Sequence, residues 1–370
     1  MKGGIQLKRK KLVIFFSIFF SLLALAVIFL FGTQKGHDVR RFTAATILST
    51  QHRQLAKWTF LPQDELDDLL KNIQNPKYAN TILAPHISNP SKKDKNEKNN
   101  ENSSAYESFP QKDDPLIVNV ETIEKKYSAT SYYEGKVMTI SNPFNVKLES
   151  SNLRDMGQQI FVIAKRVGAI AATNAGGFLD VNGQGNGGTS IGIVIEDGKI
   201  KNNSNNESNF VAGITETGHM VTGKYTADEL INLGVQSAAG FKPQLIANGK
   251  KLITEGDGGW GAGPRTAIGQ TKDGKIILVV IDGRQAHSIG ATIRELQDIL
   301  YDRGAINAMA MDGGSSSSLY LDGKNVTTPS SVGHIPRYLP NIWAVIPKEG
   351  QQVKVTYDKK VLIDEDSYEK

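Results

Sequence analysis

The sequence predicts an α+β fold: a hairpin-rich mixed β-sheet in which a strand-helix-strand unit carries the candidate site, preceded by one transmembrane helix. Three observations lead there. Asp-Gly or Asn-Gly pairs separate apolar or β-branched segments at Asp197-Gly198, Asn248-Gly249, Asp273-Gly274 and Asp322-Gly323. Such pairs tolerate the positive φ of tight hairpin turns and are the strongest short-range hairpin signal. Two apolar runs, 275–281 and 305–311, flank a segment whose apolar residues recur at helical spacing. Finally, residues 12–31 form an uncharged run whose only polar residues are Ser17 and Ser21, long enough as a helix to cross the hydrocarbon core of a bilayer.

Composition fits this class. Of 370 residues, 39% are hydrophobic and 22% charged, enough apolar material for one large or two small domains. The net charge of +5 owes much to the N-terminal residues Lys2, Lys8, Arg9, Lys10 and Lys11 and to a linker. No basic face is interleaved with aromatic residues, so nucleic acid is not an expected partner. The chain has no cysteine, which excludes disulfides, thiolate metal sites and a cysteine nucleophile.

Read in order, residues 1–11 are a basic cytoplasmic segment and 12–31 the anchor. Charge is denser before the run than after it, which orients the remainder outside the membrane. The run is longer than the apolar part of a cleaved signal and no small-x-small site follows, so the reading is a retained single-pass anchor rather than a cleaved signal. Residues 32–87 read as a juxtamembrane stalk, partly helical through Leu66, Leu69 and Leu70. Residues 88–114 are dominated by Lys, Asn, Glu, Ser and Pro and bury too little to offset ordering, which makes them a disordered linker. The folded domain is expected at 115–347, and 348–370 as a polar C-terminal tail.

Within the domain, 136–140 and 145–148 read as strands around Asn142-Pro143, and 160–167 as a helix. The helix leads to an apolar strand that ends at Asn174, where Gly176 and Gly177 permit close backbone approach to a ligand. In DVNGQGNGG, 180–188, Asp180, Asn182 and Gln184 alternate as in a calcium loop, but Ile191 stands where the closing Glu belongs. No metal ligand set and no other cofactor is assigned. Asp and Asn side chains near the cleft are nevertheless of a type that a divalent ion uses.

The chemistry concentrates where 275–281 and 305–311 each end in an acid, Asp282-Gly283 and Asp312-Gly313. Between them, Thr292 and Glu295 form a capping box, Ile293, Leu296 and Leu300 mark the helix, and Gly304 stops it. Two parallel neighbouring strands joined by a right-handed crossover bring both carboxylates to one edge. Arg265, Arg284 and His287 stand nearby in sequence, and Gly313, Gly314, Ser315 and Ser316 offer amide and hydroxyl donors. An acid pair, cations and exposed amides suit a sugar joined to an anion. The competing reading of Asp-Gly after a strand is plain turn chemistry. No Gly-x-Ser-x-Gly elbow and no Gly-Lys-Ser/Thr ending is present, so neither a serine triad nor a nucleotide P-loop fits.

Four stretches taken together, TNAGGF at 173–178, FKPQLIANGK at 241–250, PRTAIGQTKDGKIILVVIDGR at 264–284 and GAINAMAMDGGSSSS at 304–318, resemble the phosphodiester glycosidase family. The resemblance continues through Pro329-Ser330-Ser331, Arg337 and a closing strand at 341–346. A single anchor ahead of such a domain is similar to the membrane-anchored, exopolysaccharide-related bacterial members. The sequence departs from the family pattern at Asn174-Ala175-Gly176-Gly177-Phe178, at Asp312-Gly313-Gly314-Ser315-Ser316, and at Ser190, where many members have Pro.

The resemblance implies an extracytoplasmic hydrolase of the bond between an anomeric carbon and a phosphodiester oxygen, acting on a carbohydrate phosphodiester. Asp312 and Asp282 are then its catalytic pair and Arg265 and Arg337 its phosphate ligands. Asn174, Gly176 and Gly177 are implied contacts to sugar hydroxyls or an N-acetyl group, with Arg284 orienting Asp282 or substrate. A non-catalytic envelope polysaccharide or teichoic-acid binding protein is the alternative from another class.

Overall fold

A computed structural model of the chain describes residues 2–50, 52–83, 109–126, 131–180 and 185–369. It contains two compact units, Met1–Lys71 and Asn72–Lys370. Most of the expected linker, 88–114, lies outside the described residues.

The first unit is helical. α1 (Lys2–Gly32) includes Lys11–Gly32, which is long and apolar enough to cross a membrane. α2 (Gln34–Leu48) begins where the Thr33 hydroxyl accepts the Gly36 amide, satisfying one of the free donors of a helix start. A 3-10 turn at Arg53–Thr59 and α3 (Gln63–Gln74) follow. Leu66, Leu69 and Ile73 are the buried residues of α3, spaced three and four apart as one apolar face requires.

The second unit is built of strands. It opens with β1 (Leu116–Lys125), β2 (Tyr133–Ile140), β3 (Val146–Ser150), β4 (Gln158–Gln159), α4 (Ile160–Val167) and β5 (Ala171–Asn174). Next come β6 (Ile193–Glu196), β7 (Lys199–Asn203), β8 (Asn209–Thr215), β9 (Met220–Tyr225), α5 (Ala227–Asn232) and β10 (Val235–Gly240). β11 (Gln244–Ala247), β12 (Lys250–Lys251), β13 (Arg265–Thr271), β14 (Ile276–Ile281), α6 (Ile293–Tyr301) and β15 (Ala305–Met311) carry the central stretch. The chain closes with β16 (Leu319–Leu321), β17 (Lys324–Asn325), β18 (Tyr338–Leu339), β19 (Asn341–Val345), β20 (Val353–Tyr357) and β21 (Lys360–Glu365).

Nine strands form one mixed sheet in the order β12-β11-β15-β13-β14-β2-β1-β20-β21. Two five-stranded sheets, β7-β6-β10-β8-β9 and β17-β16-β5-β19-β3, pack with it. Leu278, Val280, Met309 and Met311 from the large sheet meet Leu319, Trp343 and Val345 from one partner and Val194, Ala212 and Met220 from the other in a single buried cluster. Every residue of β13 and β14 is buried, the mark of strands covered on both faces. The four pairs read as hairpin turns, Asp197-Gly198, Asn248-Gly249, Asp273-Gly274 and Asp322-Gly323, join antiparallel neighbours: β6 to β7, β11 to β12, β13 to β14 and β16 to β17.

Three expectations need correction. β14 and β15 are not neighbours. β13 lies between them, antiparallel to both, so they run parallel to each other with one strand interposed. Gly269 on β13 leaves room for the crossing α6, for a Cβ there would sit 3.1 Å from Leu300 Cδ2.

The expected polar tail at 348–370 is instead partly sheet: β20 pairs parallel with β1, and β21 pairs with β20. Val353 and Val355 alternate into the core, a period-two signal outweighed on reading by the charged residues between and after them.

The expected stalk reaches into the domain at its end. The Thr81 amide donates to Thr222 O at 3.0 Å, and Gln244 brackets Ala79 through both its amide N–H and its C=O. The Lys224 amide donates to Asn80 Oδ1 at 2.8 Å. Gly223 permits this approach, since its φ is +142° and a Cβ there would meet Asn80 Oδ1 at 2.3 Å. The segment covers β9, an edge strand of its sheet, whose unpaired backbone groups need a partner.

Candidate active site

The start of β13 and the ends of β14 and β15 share one edge, because Arg265 pairs with Ile281 and Thr266 with Met311. Asp282 and Asp312 emerge on either side of it. Two strand spacings, about 10 Å, separate the two strand axes, and the two acids have separate partners.

Asp312 is partly exposed. Its amide donates to Ala175 O at 3.0 Å, and its own carbonyl accepts Asn174 Nδ2 at 2.5 Å. Burial pushes its carboxyl up to about 7, opposed by hydrogen bonds from the Ser316 hydroxyl and the Gly313 amide and by the Arg337 charge, while Asp180 pushes further upward. A carboxylic acid that titrates near neutrality is suited to proton transfer at that pH.

Asp282 is 3% exposed. Thr328 donates its amide to Oδ1 at 3.0 Å, His287 Nε2 lies 3.6 Å from Oδ2, and the Ser288 hydroxyl donates to the Asp282 carbonyl at 2.6 Å. Burial raises its pKa, against the opposing pull of Thr328 and His287. His287 itself is 41% exposed.

The three arginines differ in what their donors already do. Arg337 holds Asp180 through two bonds, Nη1 to Oδ2 at 2.7 Å and Nη2 to Oδ1 at 3.1 Å, and also donates to Gly185 O and Ser315 Oγ. Its guanidinium lies 4.9 Å from the centre of the Phe178 ring, a cation-π distance. Arg265 is buried and donates to Ala291 O, Trp260 O and Gly261 O. Burial, then the nearby Arg284 charge, lowers its pKa to about 10, so it remains cationic at neutral pH. Arg284 sits at φ +58° with its amide donating to Ile289 O at 3.1 Å, and its exposed guanidinium has no hydrogen bond or ion pair among the described residues. Its Nη1 would lie 3.3 Å from a Cβ placed on Gly314, which locates this free guanidinium against the turn that follows Asp312.

Several expected ligand contacts are already satisfied internally. Asn174 is 1% exposed, and its Oδ1 accepts Thr266 Oγ1 at 2.8 Å and the Ser318 amide at 3.2 Å. It fastens three strands together and is not free for a sugar. The Gly176 amide donates to Asn341 Oδ1, and the Gly177 amide reaches Gly240 O. Gly313 donates to the Asp312 carboxylate and Gly314 to Pro264 O at 3.0 Å. At the short 3-10 turn Gly314–Ser316 these two amides therefore face inward, Gly313 to the carboxylate and Gly314 to a backbone carbonyl, where an anion was the expected acceptor. Ser315 and Ser316 stay in the cluster, on Arg337 and Asp312 respectively.

Asp180, Phe178 and Thr328 are the neighbours that sequence reasoning missed. Asp180 was visible only as a poor calcium loop. Among the described residues no group of three His, Asp or Glu is arranged to hold a metal ion. A cavity of about 850 Å³, lined by Glu121, Lys275 and Arg303 among others, opens at the other end of these strands. Its charges are largely paired with one another, Lys275 with Asp273 and Arg303 with Glu121, so the convergence of chemistry, not hollowness, marks the candidate site.

The phosphodiester glycosidase family model matches residues 167–346. The chain is 30% identical over 161 residues to mouse N-acetylglucosamine-1-phosphodiester alpha-N-acetylglucosaminidase, covering 39% of this chain and 31% of that protein. It is also 30% identical over 188 residues to the SPbeta prophage-derived uncharacterized protein YomE of Bacillus subtilis, covering 47% of this chain and 27% of that protein. The chain thus spans under a third of each of these relatives. Among solved structures, the zebrafish N-acetylglucosamine-1-phosphodiester alpha-N-acetylglucosaminidase catalytic domain, auto-inhibited by pro-peptide, shares the fold with a TM-score of 0.57 at 23% identity, over 65% of this chain and 87% of that one. The stretch that holds Asp282, Asp312, Arg265, Arg284 and Arg337 is thus the one that matches the phosphodiester glycosidase family model.

Proposed function

We propose that the chain is an extracytoplasmic, single-pass membrane-anchored phosphodiester glycosidase. It cleaves the sugar-1-phosphodiester bond of a cell-envelope or exopolysaccharide glycan and releases N-acetylglucosamine or a similar sugar. One observation carries the reading: a carboxyl raised to about 7, Asp312, beside the Asp180-paired guanidinium of Arg337, with the free guanidinium of Arg284 over the adjoining turn. The names of the mammalian relatives supply the sugar and the bond.

A phosphate leaving group is weakly basic and needs neutralisation more than a proton. Arg284 provides this, since a guanidinium binds phosphate oxygens through a planar fork and stays charged, while Arg337, whose fork holds Asp180, adds its charge beside Asp312. Arg265, whose donors hold backbone carbonyls, adds positive potential without contacting substrate. Ionised Asp312 takes the proton of a water that attacks the anomeric carbon. The C–O bond breaks, and its electron pair leaves on the phosphomonoester. Asp282 keeps His287 oriented toward the substrate, as an acid behind an imidazole does elsewhere.

The test is to incubate the full chain in detergent with the methyl phosphodiester of N-acetylglucosamine-1-phosphate and with other sugar-1-phosphodiesters, and to measure free sugar. Release that Asp312→Asn abolishes is expected. No release from any substrate, alongside glycan binding, overturns the hydrolase in favour of a polysaccharide or teichoic-acid binding protein.

A further inference from the structure

The first unit presents an apolar surface that its own packing leaves open. In the turn Arg53–Thr59, Ala56 and Thr59 are buried, while Leu55 is 46%, Trp58 65% and, just after the turn, Phe60 63% exposed. Side chains of this size seldom stand together in water without a partner. Their attachment to the end of α1 points to that partner. The Phe60 ring packs edge-on against Phe31, with centroids 5.9 Å apart, and Phe31 is the last large apolar residue of the membrane-length stretch Lys11–Gly32. Arg40 completes the joint. Its Nε donates to Leu30 O at 3.1 Å and its Nη1 to Phe60 O at 2.8 Å, and its guanidinium lies over the Phe31 ring at 4.8 Å.

The turn is therefore fastened at the depth where the apolar run stops. Around it stand Lys35, Arg53 and Lys57, all exposed, with Lys57 5.9 Å from the Trp58 ring centre. Tryptophan at the level of the headgroups and cations just above them are what a bilayer interface selects. α3 carries Asp64, Asp67 and Asp68, unsuited to an anionic surface, which confines the contact to the turn.

We propose that residues 53–60 are an interfacial platform that lies in the headgroup layer of an anionic bilayer. There it fixes the exit of α1 and turns the segment read as a passive stalk into a second membrane contact. The proposal rests on the anchor reading of α1 and is independent of the hydrolase chemistry.

Trp58 makes it testable. The chain has three tryptophans, and the other two, Trp260 and Trp343, are 9% and 0% exposed. The full chain is reconstituted in phosphatidylcholine-phosphatidylglycerol vesicles whose acyl chains are brominated near the headgroup end, and emission is compared with that of Trp58→Phe. Flotation of the same vesicles on a density gradient reports whether the chain is retained. The expected result is loss of most of the Trp58 emission component, a loss absent from Trp58→Phe and weaker with bromines at the chain ends. Retention without quenching of Trp58 overturns the platform and leaves the anchor standing. Failure to float with the vesicles overturns both.

Discussion

Asp312 and Asp282 are the same motif twice, an acid followed by glycine at the end of a buried apolar strand, yet their surroundings diverge. Asp312 opens onto a turn that feeds it Ser316 and Gly313 and sets it beside a paired guanidinium. Asp282 is closed in, bound to the Thr328 amide and facing a histidine at 3.6 Å. The difference teaches that a strand-end acid acquires its role from what the next loop brings over it. In the proposed mechanism Asp312 carries the chemistry, while Asp282 holds a loop and faces an imidazole.

The largest test of that contrast is Asp312→Asn against Asp282→Asn. Sugar release from a sugar-1-phosphodiester should fall on the order of a thousandfold in the first and about tenfold to a hundredfold in the second, where an amide still accepts the Thr328 N–H. Equal losses would erase the distinction.

Next come the charges that belong to Asp312 alone. Asp180→Asn leaves Arg337 without its bidentate partner and should lower kcat/KM by roughly a hundredfold, about 2–3 kcal/mol of transition-state stabilisation. The same change removes an anion that raises the Asp312 pKa. If ionised Asp312 is the base, the rate rises as pH passes about 7, and in Asp180→Asn this limb moves to lower pH. A limb that stays in place, measured on kcat/KM against pH, would show that Asp312 does not set it.

A smaller effect concerns stability. The carboxyl of Asp312 has its pKa raised from 3.8 to about 7 in the fold, so the folded chain holds this proton more tightly than the unfolded chain. The contribution is largest below the unfolded value and is lost as pH climbs toward 7. At pH 8, Asp312→Asn should therefore be more stable than the parent by about 1–2 kcal/mol, read as a rise in Tm. A lower Tm would deny that burial strains the ionised acid. Finally, Asn174→Ala leaves Thr266, Ser318 and Asp312 without a shared partner, at about 1–3 kcal/mol. Any loss of activity should come through Asp312.

How much of this was legible varies by element. The four hairpins, the α6 capping box and the apolar run of α1 are local codes, in which a few adjacent residues fix backbone angles or burial, and each could be read directly. The edge shared by Asp282 and Asp312 was legible in outline, but β13 between their strands was not, because strand order follows from distant pairings. The inward turn of the Gly176, Gly177, Gly313 and Gly314 amides was hidden for the same reason, since a glycine amide looks equally free until its acceptor, Asn341, Gly240, Asp312 or Pro264, is placed.

The sequence by itself determined the membrane-length helix, the hairpin-rich sheet, the family stretch and the two strand-end acids, all carried by residue type and short-range spacing. Only the tertiary structure decided that Arg337 belongs to Asp180 beside Asp312, that Arg265 and Asn174 are held by the protein's own backbone and side chains, and that Arg284 remains free. The reason is that hydrogen bonds and charge pairs are made between residues far apart in the chain. Asp180 and Arg337, separated by 157 positions, have no local pattern that announces their meeting.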